Sequence, residues 1–217
     1  MKIDLHTHSS ASVDGGITAE QYRFLLKVGT IDQIAITDHN RIDMALELQA
    51  ELGNKIIVGE EITTQEGDII GLFITDLVPK GLPVKEAVQA IKKQGGIVYV
   101  PHPFETIRSG INLAALKTIA DDVDVVEAPN GRSIQPGDDE ATDWARSHKK
   151  AICGSSDAHR AKAVGKTYTA TSELLTKENI ITQLESAKIT YRRPSLFDLL
   201  APKYNRLMNK RNRRNKR

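Results

Sequence analysis

Apolar residues along this chain recur in two rhythms. Short runs such as Ile34-Ala35-Ile36, Ile56-Ile57-Val58 and Ile97-Val98-Tyr99-Val100 have the length and β-branched content of buried strands, whereas Val84, Ala87, Val88 and Ile91 recur at helical spacing. From the N-terminus, the pattern predicts a strand ending at His6-Thr7-His8, then a helix opened by a capping box at Thr18-Ala19-Glu20-Gln21 and closed by Gly29. A strand over Gln33–Thr37, a helix N-capped by Asn40 and closed by Gly53, a strand carrying Glu61 and a buried strand over Asp68–Thr75 follow. Pro83 introduces a helix stopped by Gly95-Gly96, and the next strand ends at His102. Beyond it the pattern predicts a helix through Leu113, Leu116 and Ile119, and a strand over Val123–Ala128. A helix from about Asp138 to His148, with Trp144 on its packing face, leads to the strand before Asp157. A short β segment near Thr167–Thr171 and a helix from about Lys177 to Ala187 complete the pattern. Such alternation predicts parallel strands joined by right-handed crossovers.

The ends of these strands carry the chemistry. Residues two apart in a strand share a face, so His6 and His8 aim at one point, although a lone His-x-His is equally a pair of solvated imidazoles. The device repeats at Asp38-His39, Glu60-Glu61, His102 and Asp157-Ala158-His159. Functional residues after several different strands favour a closed barrel with its site at the C-terminal ends, where an open sheet would concentrate them at one switch point. No glycine-rich phosphate loop follows the first strand.

At 217 residues, one sizeable core is expected. The single Cys153 lies in an apolar run and suits a buried thiol in a reducing compartment. With no secretory leader pattern and no run of membrane-spanning length, a cytoplasmic location away from membranes is the expectation. The net charge of +2 hides an asymmetry, because residues 203–217 hold eight Lys or Arg and no acid. Arg192-Arg193-Pro194 marks the expected end of the folded body, giving a domain over 1–192 and a basic tail over 193–217. A like-charged run of this kind is either a solvated, poorly ordered tail or a polyanion attractor, and Leu196-Phe197-Asp198-Leu199-Leu200 is apolar enough to dock.

His6, His8, Asp14, His39, Glu61, His102, Asp157 and His159 form a set of nitrogen and oxygen donors too large for one four-coordinate ion. Two or three divalent cations sharing a carboxylate are implied, with zinc, manganese and iron all suited to the donors. Closely spaced ions of this kind support hydrolysis of a phosphate ester by an activated water. On the loops after His102 and Asn130, Arg108 and Arg132 are either phosphate-binding groups or solvated arginines, and Arg160 is a weaker third. His148 reads as a surface residue.

These motifs, together with Thr37-Asp38-His39-Asn40, Gly59-Glu60-Glu61-Ile62, Pro101-His102-Pro103, Glu127 to Asn130 and Ser156-Asp157-Ala158-His159, resemble the PHP (polymerase and histidinol phosphatase) family of metal-dependent phosphoesterases over roughly residues 1–192. The resemblance implies a distorted (β/α)7 barrel with up to three metals at its mouth. It implies that His6, His8, Glu61 and Asp157 hold one ion, that Glu61 bridges to a second near His102 and Asn130, and that Asp14, His39 and His159 hold a third. Asp157, His159 and Glu61 are then the residues expected to carry catalysis. Glu60 is the alternative to Glu61, which the family's spacing favours. Two departures stand out: Ile70 and Asn130 occupy positions where some members place histidine.

The expected activity is hydrolysis of a small phosphomonoester such as a nucleotide or sugar phosphate. A nuclease guided by the basic tail is the alternative enzyme, and a degenerate nucleic-acid-binding module the alternative from another class.

Overall fold

The computed structural model describes residues 1–134 and 139–215, apart from the side chains of residues 106, 139 and 212–215. Nine strands form one sheet: β1 (Lys2–Asp4), β2 (Gln33–Ile36), β3 (Ile56–Thr63), β4 (Asp68–Leu72), β5 (Ile97–Val100), β6 (Val125–Asn130), β7 (Ala151–Ser155), β8 (Tyr168–Ala170) and β9 (Lys188–Thr190). Their spatial order is β7-β6-β5-β4-β3-β2-β1-β8-β9. The sheet curls until its ends meet. Ser156 N donates to Asp4 Oδ1 (3.0 Å), His8 N donates to Ala158 O (2.9 Å), and the hydroxyl of Thr169 on β8 bonds Gly154 on β7 (2.9 Å). The result is a nearly closed, distorted α/β barrel.

Among the described residues seven α-helices surround it: α1 (Ala19–Lys27), α2 (Asp43–Leu52), α3 (Val84–Lys93), α4 (Leu113–Thr118), α5 (Asp139–Ser147), α6 (Ile180–Glu185) and α7 (Leu196–Asn215). The capping box at Thr18 and Gln21 is formed, and Tyr22, Leu25 and Leu26 are the buried face of α1. On α3 the predicted stripe of Val84, Ala87, Val88 and Ile91 is buried. Two apolar layers follow from strand alternation. Ile34, Ile36, Ile56, Val58, Val98 and Val126 face outward against helices, whereas Ile3, Leu5, Ala35, Ile57, Ile70, Tyr99, Val125 and Cys153 fill the barrel. Leu175, Ile180 and Leu184, in and before α6, join that inner cluster.

Several expectations need correction. The sheet is mixed: β4 runs antiparallel to both β3 and β5, and β8 runs antiparallel to β1 and β9. Residues 64–67 between β3 and β4 are too few for a crossover, so the chain must turn back as a hairpin. Gly67 takes φ +136° in that turn, where a Cβ would collide with the backbone of Ile111. Asn40 does not cap α2. It adopts φ 54°, and its side chain both accepts from Thr63 N (3.0 Å) and donates to Thr63 Oγ1 (3.2 Å), tying the loop after β2 to β3. α6 spans only Ile180–Glu185, and on α4 it is Ala115 and Leu116, not Leu113, that are buried. The helix start expected at Asp138 lies outside the described residues; from Asp139 onward α5 forms, and Trp144 is buried. His148 is exposed, stacked on Trp144 at 4.2 Å.

The segment after Pro194 is not irregular. It forms α7, 20 residues long, capped by Ser195, whose Oγ accepts from Asp198 N (3.3 Å) while its own N donates to Asp198 Oδ2 (2.9 Å). Of the basic residues counted toward a tail, Lys216 and Arg217 lie outside the described residues. No described helix is long and apolar enough to cross a membrane.

Candidate metal centre at the barrel mouth

Inward-facing strand residues change character toward one end of the barrel. On β3, Ile57 lies in the apolar interior and Glu61, four residues on, reaches the mouth; Glu60 points the other way, where its carboxylate accepts from Val78 N (2.8 Å). Alternation therefore selects Glu61 over Glu60. Gly59 between them carries no side chain because a Cβ there would meet Thr37 Cγ2 at 2.8 Å. Regular β1 stops at Asp4, so His6 and His8 lie just past its end, where the chain makes single bridges at Thr7 and Ser9. Asp38 holds this turn by accepting from Ser9 N (2.6 Å).

Glu61 stands at the centre. Its Oε2 lies 3.3 Å from His6 Nε2, 3.2 Å from His8 Nε2 and 3.4 Å from His39 Nδ1, and its Oε1 lies 3.3 Å from His102 Nε2. Asp157 Oδ1 is 3.4 Å from His8 Nε2 and 3.7 Å from His6 Nε2. Asp14 faces His39 at 3.5 Å and His159 at 3.6 Å. Donors about 2.1 Å from a shared tetrahedral ion stand about 3.4 Å from one another, so these spacings suit divalent cations. Among the described residues four overlapping donor groups result: His8, Asp14, His39 and His159; His6, His8 and Glu61; His6, His102 and Asp157; and His39, Glu61 and Asp68. The ring nitrogens His8 Nδ1 and His102 Nδ1 are buried with no hydrogen-bond partner among the described residues.

Electrostatics agree with a centre made for positive charge. Burial alone would lower the His6 imidazolium, yet the charges of Asp157, Glu127 and Glu61 raise it well above the usual histidine range. His39, also opposed by burial, is raised to about 10 by Glu61 and Asp14. Against the cost of burial, His39 and His6 hold Glu61 well below the usual carboxylate range, and Arg132 and His6 do the same for Asp157. Burial, reinforced by the charge of His8, lowers His159 to about 4, which leaves it neutral at neutral pH. The residues present fit bound divalent ions.

The sequence reading gave no role to Asp68, Glu127 or Tyr99. Asp68 belongs to the fourth donor group, and burial with the nearby Glu61 charge raises its carboxyl to about 7. An all-parallel barrel would put the start of β4 at the far end; the hairpin puts it at the mouth, above the buried Ile70, which packs in the apolar interior. Glu127, buried midway along β6, accepts from Tyr99 OH (2.7 Å) and His102 N (2.8 Å) and lies 3.2 Å from His6 Nδ1, fixing that ring so that Nε2 faces inward. Tyr99 OH in turn lies 3.1 Å from Ser155 Oγ. The signal available for Glu127 was its place at the start of the Glu127-to-Asn130 motif, in an apolar strand.

Asn130 has a different place from the one expected. Its Oδ1 accepts from Arg108 Nη1 (2.5 Å) and Arg132 N (2.7 Å), and its Nδ2 donates to Glu127 (2.8 Å) and Asp157 Oδ2 (3.3 Å). With its oxygen taken by two donors, Asn130 brackets the carboxylates of Glu127 and Asp157. Arg108 is also spent: it binds Glu105 through Nε and Nη2, Ser133 (3.0 Å), Asn130 and Asp157 Oδ2 (3.1 Å), and its side chain is 11% exposed. All its donors are engaged, so it positions Asp157 and leaves none for a substrate phosphate. Arg132 Nη1 reaches Asp157 Oδ2 at 3.3 Å, and its Nε has no partner among the described residues. Asp157 thus presents Oδ1 to the histidines and Oδ2 to the arginines. Arg160 points away, lying over the Phe197 ring with its Cζ 5.8 Å from the centroid.

The chain is similar to known proteins in both sequence and fold. A family described as PHP-associated matches residues 138–189. The chain is 38% identical over 141 residues to the uncharacterized protein MJ1587 of Methanocaldococcus jannaschii, covering 59% of this chain and 82% of that one. It is 35% identical over 183 residues to the uncharacterized protein MJ0417 of the same organism, covering 80% and 72%. Among solved structures, a two-domain protein from Bacteroides vulgatus containing a predicted PHP-like metal-dependent phosphoesterase superposes with a TM-score of 0.69 at 19% identity, covering 95% of this chain and 69% of that one.

Proposed function

This chain belongs to the PHP domain family, and on that premise we propose that it is a metal-dependent hydrolase that removes a terminal phosphoryl group from a small phosphomonoester. The observation that carries the reading is the set of overlapping donor groups, two of which share Glu61 while the others overlap them through His6, His8 and His39. Two or three divalent ions, manganese, zinc or iron, held by His6, His8, Asp14, His39, Glu61, His102, Asp157 and His159, with Asp68 as a further donor, would supply Lewis acidity for water and for the phosphoryl oxygens. The chain's own groups do the rest. Glu127 orients His6, while Arg108 and Asn130 hold Asp157 so that one oxygen faces the histidines. Arg132, whose guanidinium borders Asp157, adds positive charge where a phosphoryl group gathers negative charge.

The recession of the donors supports the monoester reading. Asp14, Glu61, His102, Asp157 and His159 are all buried, and His39, 20% exposed in its side chain, marks the open side. A terminal phosphoryl group can reach such a floor, whereas an internal diester carries substituents on both sides. The exposed cations Lys203, Arg206, Lys210 and Arg211 on α7 favour one second reading, a nuclease that draws in an oligonucleotide by its phosphates. A short 5′-phosphorylated oligonucleotide incubated with the protein and Mn²⁺ separates the two. Free phosphate with the chain intact supports the monoesterase, release of mononucleotides supports the nuclease, and an Asp157→Ala protein that keeps full turnover would sink both.

A further inference from the structure

α7 is the part of the molecule that this reading leaves unused, yet it is fastened onto the loops that carry two of the donors. At its start, Lys166 Nζ donates to Asp198 Oδ2 (2.6 Å). Two turns later come Asn205 and Asn209, spaced to share one face of the helix. Asn205 Nδ2 donates to Asp14 O (3.0 Å) and His159 O (2.8 Å). Asn209 Nδ2 reaches Ser12 O, Val13 O and Gly15 O at 3.3 to 3.4 Å. These contacts set the rotation of the helix, and that rotation carries Arg206 over the rim, with Nη2 3.1 Å from Asp14 Oδ2.

Arg206 differs from the other two mouth arginines. Its side chain is 64% exposed, against 11% for Arg108 and 17% for Arg132, and it stands on the Asp14 side of the mouth while they stand on the Asp157 side. His39, on the open side of the centre, also contacts Asp14. As a structural tie Arg206 is redundant, because an ion pair this exposed contributes little and the two asparagines and Asp198 already hold the helix.

We propose that Arg206 is a substrate-binding residue, which takes phosphate oxygens arriving over the Asp14–His39 side of the centre, and that α7 is therefore one wall of the active site. The inference rests on the phosphoesterase reading and adds the group that captures the phosphoryl moiety. Once Asp14 is committed to a cation, its pull on the guanidinium weakens, and the planar fork is free to bind an anion bidentately.

The test is calorimetric titration of the Mn²⁺-loaded full chain with inorganic phosphate. Arg206→Ala should weaken the phosphate Kd about tenfold, and Arg206→Lys should recover only part, since it keeps the charge and loses the fork. Mn²⁺ affinity of the same proteins should change by less than about twofold. The Asn205→Ala/Asn209→Ala pair, which leaves Arg206 in place on a less firmly held helix, should weaken phosphate several-fold. An unchanged phosphate Kd in Arg206→Ala, or a wild-type chain that binds no phosphate, overturns the inference. So does tighter Mn²⁺ binding in Arg206→Ala with phosphate unaffected, which would make the arginine a stand-in for the cation at Asp14. Ester hydrolysis measured in parallel keeps the two readings apart: phosphate held through Arg206 without turnover leaves the subsite standing and removes the phosphoesterase reading.

Discussion

Ile57 and Glu61 point into the same barrel from the same strand, four residues apart, and live in opposite environments. Ile57 belongs to a floor of Ile3, Leu5, Ala35, Ile70, Val125 and Cys153 that Leu175, Ile180 and Leu184 complete. Glu61 belongs to a mouth of imidazoles and carboxylates, buried as deeply but held by charge. Between them lies a thin layer of Tyr99 OH, Ser155 Oγ and Glu127 that is apolar below and hydrogen-bonding above. Burial of apolar surface stabilises the floor, whereas each buried charge at the mouth costs solvation that its partners must offset. The comparison teaches a division of labour: the floor provides the stability that lets the mouth be shaped for ions.

The division is breakable, and the largest effect is expected at its upper end. Glu61→Gln removes the carboxylate shared by two of the four donor groups found among the described residues. Ester hydrolysis should fall on the order of 10³-fold, and metal analysis should find at least one ion fewer per chain. Full occupancy in that variant would contradict the bridging role. In the intermediate layer, Glu127→Gln keeps the hydrogen-bonding shape and loses the charge behind His6. Metal affinity should weaken roughly 10- to 100-fold in a competitive chelator titration.

At the floor the readouts should reverse. Ile57→Ala leaves a cavity and should cost about 3 kcal/mol in denaturant unfolding, with metal content per folded chain unchanged. Loss of metal from that variant would show that floor and mouth are not separable. The smallest effect concerns Glu60, on the outer face of β3, whose carboxyl is raised by burial to about 7 from an ordinary 4.5. Between those values the folded state binds the extra proton, so its contribution to stability is present at low pH and is lost as pH rises through about 7. Glu60→Gln keeps an acceptor for Val78 N and should unfold later than wild type at about pH 8, by on the order of 2 kcal/mol, with no such gain near pH 4. A gain equal at both values would remove the titration argument.

Much of the mouth was legible because its cues are local. Alternation puts His6 with His8 and separates Glu61 from Glu60, and the spacing of Asp157 and His159 puts both at one strand end. Asp68 was missed because its role depends on strand direction, which a parallel reading reverses. The hydrogen-bond partners of Asn130 and Arg108 were not legible because a side chain's residue type does not reveal which neighbours saturate it; here those neighbours are each other, Glu105, Ser133 and Asp157.

α7 marks the same boundary most sharply. Its charge could be counted from the chain, and so could the apolar residues near its start, but a run of like charges carries no information about what it rests on. That was decided by backbone carbonyls of the Ser12–Gly15 loop, nearly two hundred residues away, which Asn205 and Asn209 find only once the barrel has closed. Strand and helix periodicity, caps and donor types are properties of neighbouring residues, so the alternating elements and the metal-binding character of their ends were already written in the chain. Strand direction, the saturation of each polar group and the seat of the last helix arise from contacts between distant segments, and only the folded molecule brings those together.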